Sequence, residues 1–398
     1  MTASETGGDA ERSSASRVAS RRRFVAAVGS ATALGLAGCI ETSPTGDDAA
    51  TTSDPSTGGT STTTGGTTAT TAGEPQQLRV GTTQAYVDAV STSAGDWVKQ
   101  AFEAEHDVDF EWVVRENELN DFVQRKQEGV DLGAHGYVGV TPTSLVRADR
   151  TLEDSLFAAF DTDRIPNTGD VTDAYWFDPE RRVLPTGASY VCVVYDETAV
   201  PEPETLEDLT RDEWSDGLLL PNPQNTVTGL SFLLWTVHEF GEDDYLDYWE
   251  RLVDNGLQTT SNWNAAYSAY SSEEAPMVMS YSTDQVYASQ AEDTDMRRHQ
   301  IAFPNDQGYA YVSGTARFAG TGSEDLMHAF AEFMLAAETQ REVAVKNVGI
   351  PTVEDATLPE DLRQYVHVPE NALQYGYETL AERADEWREA VARRIATQ

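Results

Sequence analysis

Short apolar stretches alternate with amphipathic ones along most of the chain. Gln77 to Thr82 reads as a first strand, and Trp97 to His106 carries apolar residues at helical spacing. Asp109 to Val114 predicts a second strand, and Asn117 to Glu128 a second helix whose apolar positions are Leu119, Phe122 and Val123. Tyr190 to Tyr195, Gly217 to Leu220, Met277 to Tyr281 and Ala310 to Ala316 predict further strands. Helices are expected over Thr205 to Leu209, Leu326 to Ala336 and Glu338 to Lys346, a turn over Asn347 to Thr352, and a long helical end over Glu370 to Ala396. Strand and helix in alternation define an α/β protein with a doubly wound start, a class that places ligands at the carboxyl ends of its strands.

The most informative segment runs from Asn222 to Trp235, where a polar turn passes directly into an apolar helix with no carboxylate before Glu239. A helix start of this kind presents free backbone N–H groups to a polar or anionic ligand group, although an ordinary capped helix has the same appearance.

The first 75 residues follow a different pattern. Ser20 to Val25 contains a twin-arginine motif, Ala26 to Leu36 is an apolar run too short to span a bilayer, and Leu36-Ala37-Gly38-Cys39 has the form of a lipobox. Residues 1–38 are therefore expected to be an export signal and Cys39 the lipidated first residue of the mature chain. Residues 39–75, almost all Thr, Ser, Gly, Ala, Asp and Pro, predict a stalk that cannot bury a core. The remainder exceeds the usual size of one domain, so two lobes are expected.

The net charge is −40, with only three lysines, Lys99, Lys126 and Lys346. Such a surface repels nucleic acid and stays hydrated in molar salt, which reads as a halophilic adaptation. Cys39 aside, the one other cysteine is Cys192, set in an apolar run and expected to be a buried structural thiol. Zinc-type Cys/His spacing, phosphate-binding glycine loops and nucleophile elbows are missing from the sequence, and the six histidines are scattered, with His135 the one of interest. Aromatic residues give the stronger signal. Trp263 and Tyr267 follow Asn262 at a helix start, and Tyr281-Ser282-Thr283-Asp284 forms a strand-to-helix turn with Tyr287 beyond it. Aromatic rings beside hydroxyls and a carboxylate suit a flat, partly charged aromatic ligand, and equally an aromatic core with polar caps.

At these residues the chain resembles the thiamine-binding subunit of bacterial-type ABC importers, here in the form of a haloarchaeal lipoprotein. The resemblance extends from about residue 76 to the end. It is carried by Thr228-Gly229-Leu230-Ser-Phe-Leu233-Leu234-Trp235, by Trp263 to Tyr267, by Met279 to Thr283, by Val193 to Asp196 and by Asn347 to Pro351. It implies a class II, two-lobed periplasmic-binding-protein-like fold with ligand in the cleft: 76–186 plus 311–350 as one lobe, 187–310 as the other, and 351–398 as a helical segment packed on both. Trp263 and Tyr281 match positions that pack on thiamine, and Thr226 and Val227 match a hydroxyl pair at the phosphate or hydroxyethyl end, with the second hydroxyl lost. Ser282, Thr283, Asp284 and Tyr287 match the turn that follows. Asn117 and Glu118 stand where the family commonly has Asp-Gly near the aminopyrimidine. Thr83 stands where a stacking Tyr is expected, with Tyr86 nearby either taking its place or not, and Val348 stands where a Trp is expected. Either Asp284 or Glu118 is expected to face the ligand's cation. The implied protein is a monomeric non-enzyme without cofactor or metal, tethered to the membrane at Cys39. Its partners are thiamine or a close analogue and the permease and ATPase subunits of the importer. A solute-binding protein for ferric ion, a polyamine or a pyrimidine precursor is the alternative, and a secreted hydrolase the more distant one.

Overall fold

The structure is a computed structural model that describes residues 76–88, 93–290 and 294–396. The expected export signal, Cys39 and the stalk lie outside the described residues. The strands are β1 (Gln76–Thr82), β2 (Val108–Val114), β3 (Gly136–Val140), β4 (Phe157–Ala158), β5 (Val183–Tyr195), β6 (Leu218–Pro221), β7 (Gln258–Thr260), β8 (Met277–Tyr281), β9 (Gln300–Ala302), β10 (Gln307–Phe318) and β11 (Asn371–Leu373). The helices are α1 (Gln84–Val87), α2 (Gly95–Glu105), α3 (Leu119–Gln127), α4 (Pro142–Thr151), α5 (Val227–Asp254), α6 (Trp263–Ser271), α7 (Asp284–Ser289), α8 (Glu324–Leu335), α9 (Ala337–Lys346), α10 (Glu360–Arg363) and α11 (Tyr377–Ala396).

The strand order β2-β1-β3-β10-β5-β8-β6-β7 explains the two-lobed architecture. On one side β2, β1 and β3 are parallel; on the other β8, β6 and β7 are parallel. The two long central strands, β5 and β10, run antiparallel to each other, and each pairs antiparallel with one flanking set. They are the covalent passages between the lobes. Their ladder carries a register shift between Ser313 and Gly314. A Cβ at Gly314 would lie 2.4 Å from the Leu184 carbonyl oxygen, so only glycine fits this bulge.

Each lobe has its own apolar interior. Phe102, Phe110 and Phe330 meet edge-on or tilted in the first, with centroid separations of 5.2 to 6.0 Å. Trp235, Tyr248 and Trp249 are fully buried in the second. There α5 is broken at Gly241, whose φ of 74° lets the chain change direction, so its two segments wrap around one core.

Most expected elements form with shifts of one or two residues, β10 begins three residues before the expected Ala310, and three others differ more. The Thr205 to Leu209 helix is a 3-10 turn, Leu206–Thr210, closed by a capping box between Thr205 and Asp208. β5 begins at Val183, seven residues before the apolar run seen in sequence, because its first half faces β10 within the first lobe. The C-terminal end is not helical from residue 370: Asn371–Leu373 first adds a parallel strand to β10, and α11 starts at Tyr377. From there α11 reaches α5 through Leu380, Trp387 and Val391 in the second lobe's core. It also reaches α4, where Asp385 pairs with Arg150 at 2.5 Å and the Tyr377 hydroxyl donates to Asp149 at 2.7 Å.

Candidate binding cleft

The carboxyl ends of β3, β6 and β8 converge beside β10. After β3, Thr141 caps α4 by accepting from the Ser144 N–H. After β6, Thr226 caps α5: its hydroxyl accepts from the Gly229 N–H and donates to the Asn222 carbonyl at 2.8 Å. A Cβ on Gly229 would lie 1.9 Å from the Pro221 carbonyl, so this glycine lets the helix start close against the strand that delivers it. The two helix starts line one recess, with Thr141 and Thr143 on one wall, Val227, Leu230 and Ser231 on the other, and Tyr311 at its floor.

Tyr311 leads from this recess to an aromatic group. Its ring meets Tyr281 edge-on at 5.5 Å, and Tyr281 lies 6.2 Å from Trp263. The Tyr281 hydroxyl accepts from Thr228 in the first turn of α5 at 2.9 Å, so the opening of α5 and the end of β8 are joined directly. Burial pushes the Tyr281 phenol up, with Tyr311 adding to the effect and the Thr228 bond opposing it. It therefore acts as a neutral aromatic surface at any physiological pH. Trp263 stands at the start of α6, placed there by Asn262, whose side chain accepts from the Ala265 N–H. Its indole N–H donates to Ser280 at 3.1 Å.

In the first lobe, Glu118 precedes α3. Its backbone sits at φ 51°, ψ −126°, a conformation that glycine adopts freely and side chains resist. Burial raises the Glu118 carboxyl above its ordinary value, and Arg147 partly offsets this. The residue is exposed, and its carboxylate acts electrostatically on Tyr137 and on Tyr311, the ring that joins the recess to the aromatic group.

Of the residues singled out in sequence, Val227 lines the recess, Tyr281 and Trp263 form the aromatic group reached through Tyr311, and Glu118 acts on Tyr311 from the first lobe. Asn117 beside Glu118 ties its side-chain amide to Asp121 at 2.9 Å, within its own lobe. Ser282 and Thr283 are fully buried; the Thr283 hydroxyl lies 3.4 Å from Ser189, and the Ser282 Oγ finds no hydrogen-bond partner. Tyr287 is exposed, with its ring 6.3 Å from Tyr267.

Asp284 differs from expectation. It is 6% exposed, and both its oxygens are engaged, one by the Tyr267 hydroxyl at 2.5 Å and one by His299 Nδ1 at 2.7 Å. It therefore does not present a free carboxylate to the cleft. Tyr86, the suggested substitute for a stacking tyrosine, packs edge-on against Trp112 at 5.4 Å in the first lobe's core and substitutes for nothing. Cys192 is fully buried as expected, its thiol pushed up by burial and by Asp284. His135 accepts from the Arg79 backbone N–H in a structural role. Sequence reasoning missed Tyr311 and the partnership of Tyr267 and His299 with Asp284. The first lay within a recognised strand; the other two become partners only when β8, α6 and β9 are assembled.

A parallel sheet in each lobe, two antiparallel strands passing between them and a cleft at the strand ends define a class II-like, two-lobed solute-binding protein. The chain belongs to the bacterial extracellular solute-binding protein family, whose profile matches residues 147–372. It is similar to the thiamine-binding periplasmic protein of Escherichia coli (strain K12), with 27% identity over 314 residues, 75% of this chain and 91% of that one. Among solved structures, a periplasmic thiamin binding protein superposes with a TM-score of 0.68 at 23% identity, covering 80% of this chain and 96% of its own. The ferric binding protein from Campylobacter jejuni superposes with a TM-score of 0.65 at 15% identity over 80% and 99% of the two chains. At such identities the superpositions speak for the fold alone. The family is one of binding proteins, not of enzymes. Among the described residues there is no group of three or more His, Cys, Asp or Glu side chains that could hold a metal ion.

Proposed function

We propose that this protein is the solute-capturing component of an ABC importer, that it binds thiamine or a close analogue between its lobes, and that it delivers this ligand to permease and ATPase subunits. The observation that carries the reading is the group of Trp263, Tyr281 and Tyr311 rings beside the recess, with the strained Glu118 carboxylate acting electrostatically on Tyr311. A flat heteroaromatic cation stacks on such rings and neutralises such a carboxylate. The curated relative is named for thiamine, which supports the same ligand class.

Glu118, and not Asp284, supplies the counter-charge in this proposal, and Thr226 and Val227 border the hydroxyethyl or phosphate end. With Val227 in place of a hydroxyl, that end accommodates a hydroxyl or one phosphate better than a pyrophosphate. Lobe closure bends β5 and β10 at their register shift, with 76–186 plus 311–350 moving against 187–310 and residues 351–398 packed on both. Residues 1–38 direct twin-arginine export, lipid on Cys39 anchors the monomer to the outer face of the membrane, and 39–75 tether it. The acid-rich, lysine-poor surface suits function in high salt.

The test is thermal unfolding of ligand-free protein in molar salt with thiamine, thiamine monophosphate, ferric ion or a polyamine. A ligand at 100 times its Kd stabilises by about 2.7 kcal/mol. A stabilisation by thiamine that Trp263→Ala abolishes is expected. No shift with any thiamine form would refute the reading, and a shift with ferric ion alone would replace it.

A further inference from the structure

Beside the aromatic group runs a hydrogen-bonded chain of partly and fully buried side chains. Trp263 and Tyr267 lie one turn apart on α6 with their rings stacked, centroids 4.9 Å apart and planes 25° from parallel. The Tyr267 hydroxyl donates to one oxygen of Asp284, and His299 Nδ1 lies 2.7 Å from the other. Three elements are thus joined in sequence: α6, the start of α7 and the entry to β9. The chain ends on the one ring of α6 that borders both Tyr281 and the cleft.

A stabilising role alone accounts poorly for this arrangement. Taking a carboxylate out of water is costly, and a buried ion pair is seldom better than well-packed apolar side chains. Among the described residues Asp284 has His299 as its ion-pair partner, and no Arg or Lys pairs with it. Its other neighbours, Cys192 on β5 and Tyr270 on α6, are neutral groups that its charge pushes up further in pKa. What such a chain does supply is direction. Tyr267 cannot turn without breaking its bond to Asp284, and Trp263 cannot tilt without losing its stack on Tyr267 or its bond to Ser280. A ring held in place before the ligand arrives loses no freedom on binding.

We infer that Tyr267, Asp284 and His299 are positioning residues that fix the plane of Trp263 as a preformed stacking surface. The inference rests on the reading that Trp263 stacks on the ligand. Tyr267→Phe, Asp284→Ala, Asp284→Asn and the double variant Tyr267→Phe/Asp284→Ala test it in the full-length protein in molar salt. Three quantities are measured: Kd for thiamine by calorimetry well below each melting temperature, the near-ultraviolet dichroism of Trp263 assigned by difference with Trp263→Phe, and the melting temperature itself. Tyr267→Phe and Asp284→Ala should each raise Kd about threefold to tenfold and alter the Trp263 band. Asp284→Asn, whose amide oxygen still accepts from Tyr267, should recover most of both effects. The double variant should bind no more weakly than the weaker single one, as expected of groups acting in series. Variants that melt earlier but keep Kd within twofold and leave the Trp263 band unchanged would overturn the inference and reduce the chain to core structure. If the wild type binds no thiamine, the functional reading fails by itself and the dichroism decides the rest: an altered band upholds the positioning role, an unaltered one refutes it.

Discussion

Replacing Glu118 by glycine should make the protein more stable and a poorer binder at once. The backbone at Glu118, with φ 51° and ψ −126°, costs a side chain about 1–3 kcal/mol that glycine avoids. Glycine in turn loses about 0.5–1 kcal/mol of additional backbone freedom on folding, so the net gain is about 1 kcal/mol. For a folded part of this size that raises Tm by about 2 °C. A pH-dependent component is added to this. Burial raises the Glu118 carboxyl above its unfolded value, so its contribution to stability is fully present below the unfolded value and is lost as pH rises through the folded one. Glu118→Gln keeps the strain and removes only this slope, and its advantage over the wild type should therefore grow as pH rises above about 4. A charged hydrogen bond to the ligand is worth about 1.5–3 kcal/mol, so both variants should weaken a cationic ligand by about 10- to 150-fold, while an uncharged aminopyrimidine changes little. Scanning calorimetry and titration calorimetry on the same samples measure the two effects. A glycine variant that melts below the wild type, or binds the cation equally well, would refute the assignment of a strained carboxylate to the ligand's charge.

Gly229→Ala should destabilise by about 3 kcal/mol in a denaturant titration, because its Cβ would lie 1.9 Å from the Pro221 carbonyl; a gain from helix propensity would contradict the packing of α5 on β6. Arg182→Met should cost about 3–5 kcal/mol, since it leaves the buried Asp178 without the guanidinium 3.0 Å away, and the loss should persist in molar salt because that pair is shielded from solvent. Trp387→Ala should cost about 3–5 kcal/mol by opening the second lobe's core, whereas Arg150→Ala, which breaks only the exposed tie of α11 to α4, should stay within about 1 kcal/mol by the same titration. Equal losses would mean that α11 is fastened to both lobes alike.

The parts of the fold legible in sequence are those in which local pattern and tertiary role coincide. Met277–Tyr281 is buried on both faces and reads as an apolar run interrupted only by Ser280, so its bounds emerge unchanged. The start of α5 is legible for the same reason, since Thr226 must cap whatever apolar helix follows it. β11 was illegible: three residues, two of them exposed, form a strand only because β10 offers a free edge there. The first half of β5 was obscured by Pro185 and Gly187 (residues that usually end strands), which here stand opposite the register shift in β10.

The site divides along the same line. Trp263 and Tyr281 stood out because large aromatic rings lie at the ends of elements beside hydroxyls, a pattern that suits a ligand surface and an aromatic core alike. Asp284 was misjudged because its type and position fit a ligand contact equally well, and the direction of its side chain depends on residues 17 positions before it and 15 after it. Neither Tyr267 nor His299 carries any local mark of that partnership. Glu118 shows the converse. A glutamate in place of the family's glycine reads in sequence as a mere departure, but the backbone still holds the conformation suited to glycine, so its carboxylate has been added without any relaxation of the turn that carries it. A strained turn that retains a carboxylate costs stability unless the carboxylate has a use. On the proposed reading, the same two rings beside an uncharged turn would bind a flat ligand without regard to its charge, and the glutamate would make that surface select a cation.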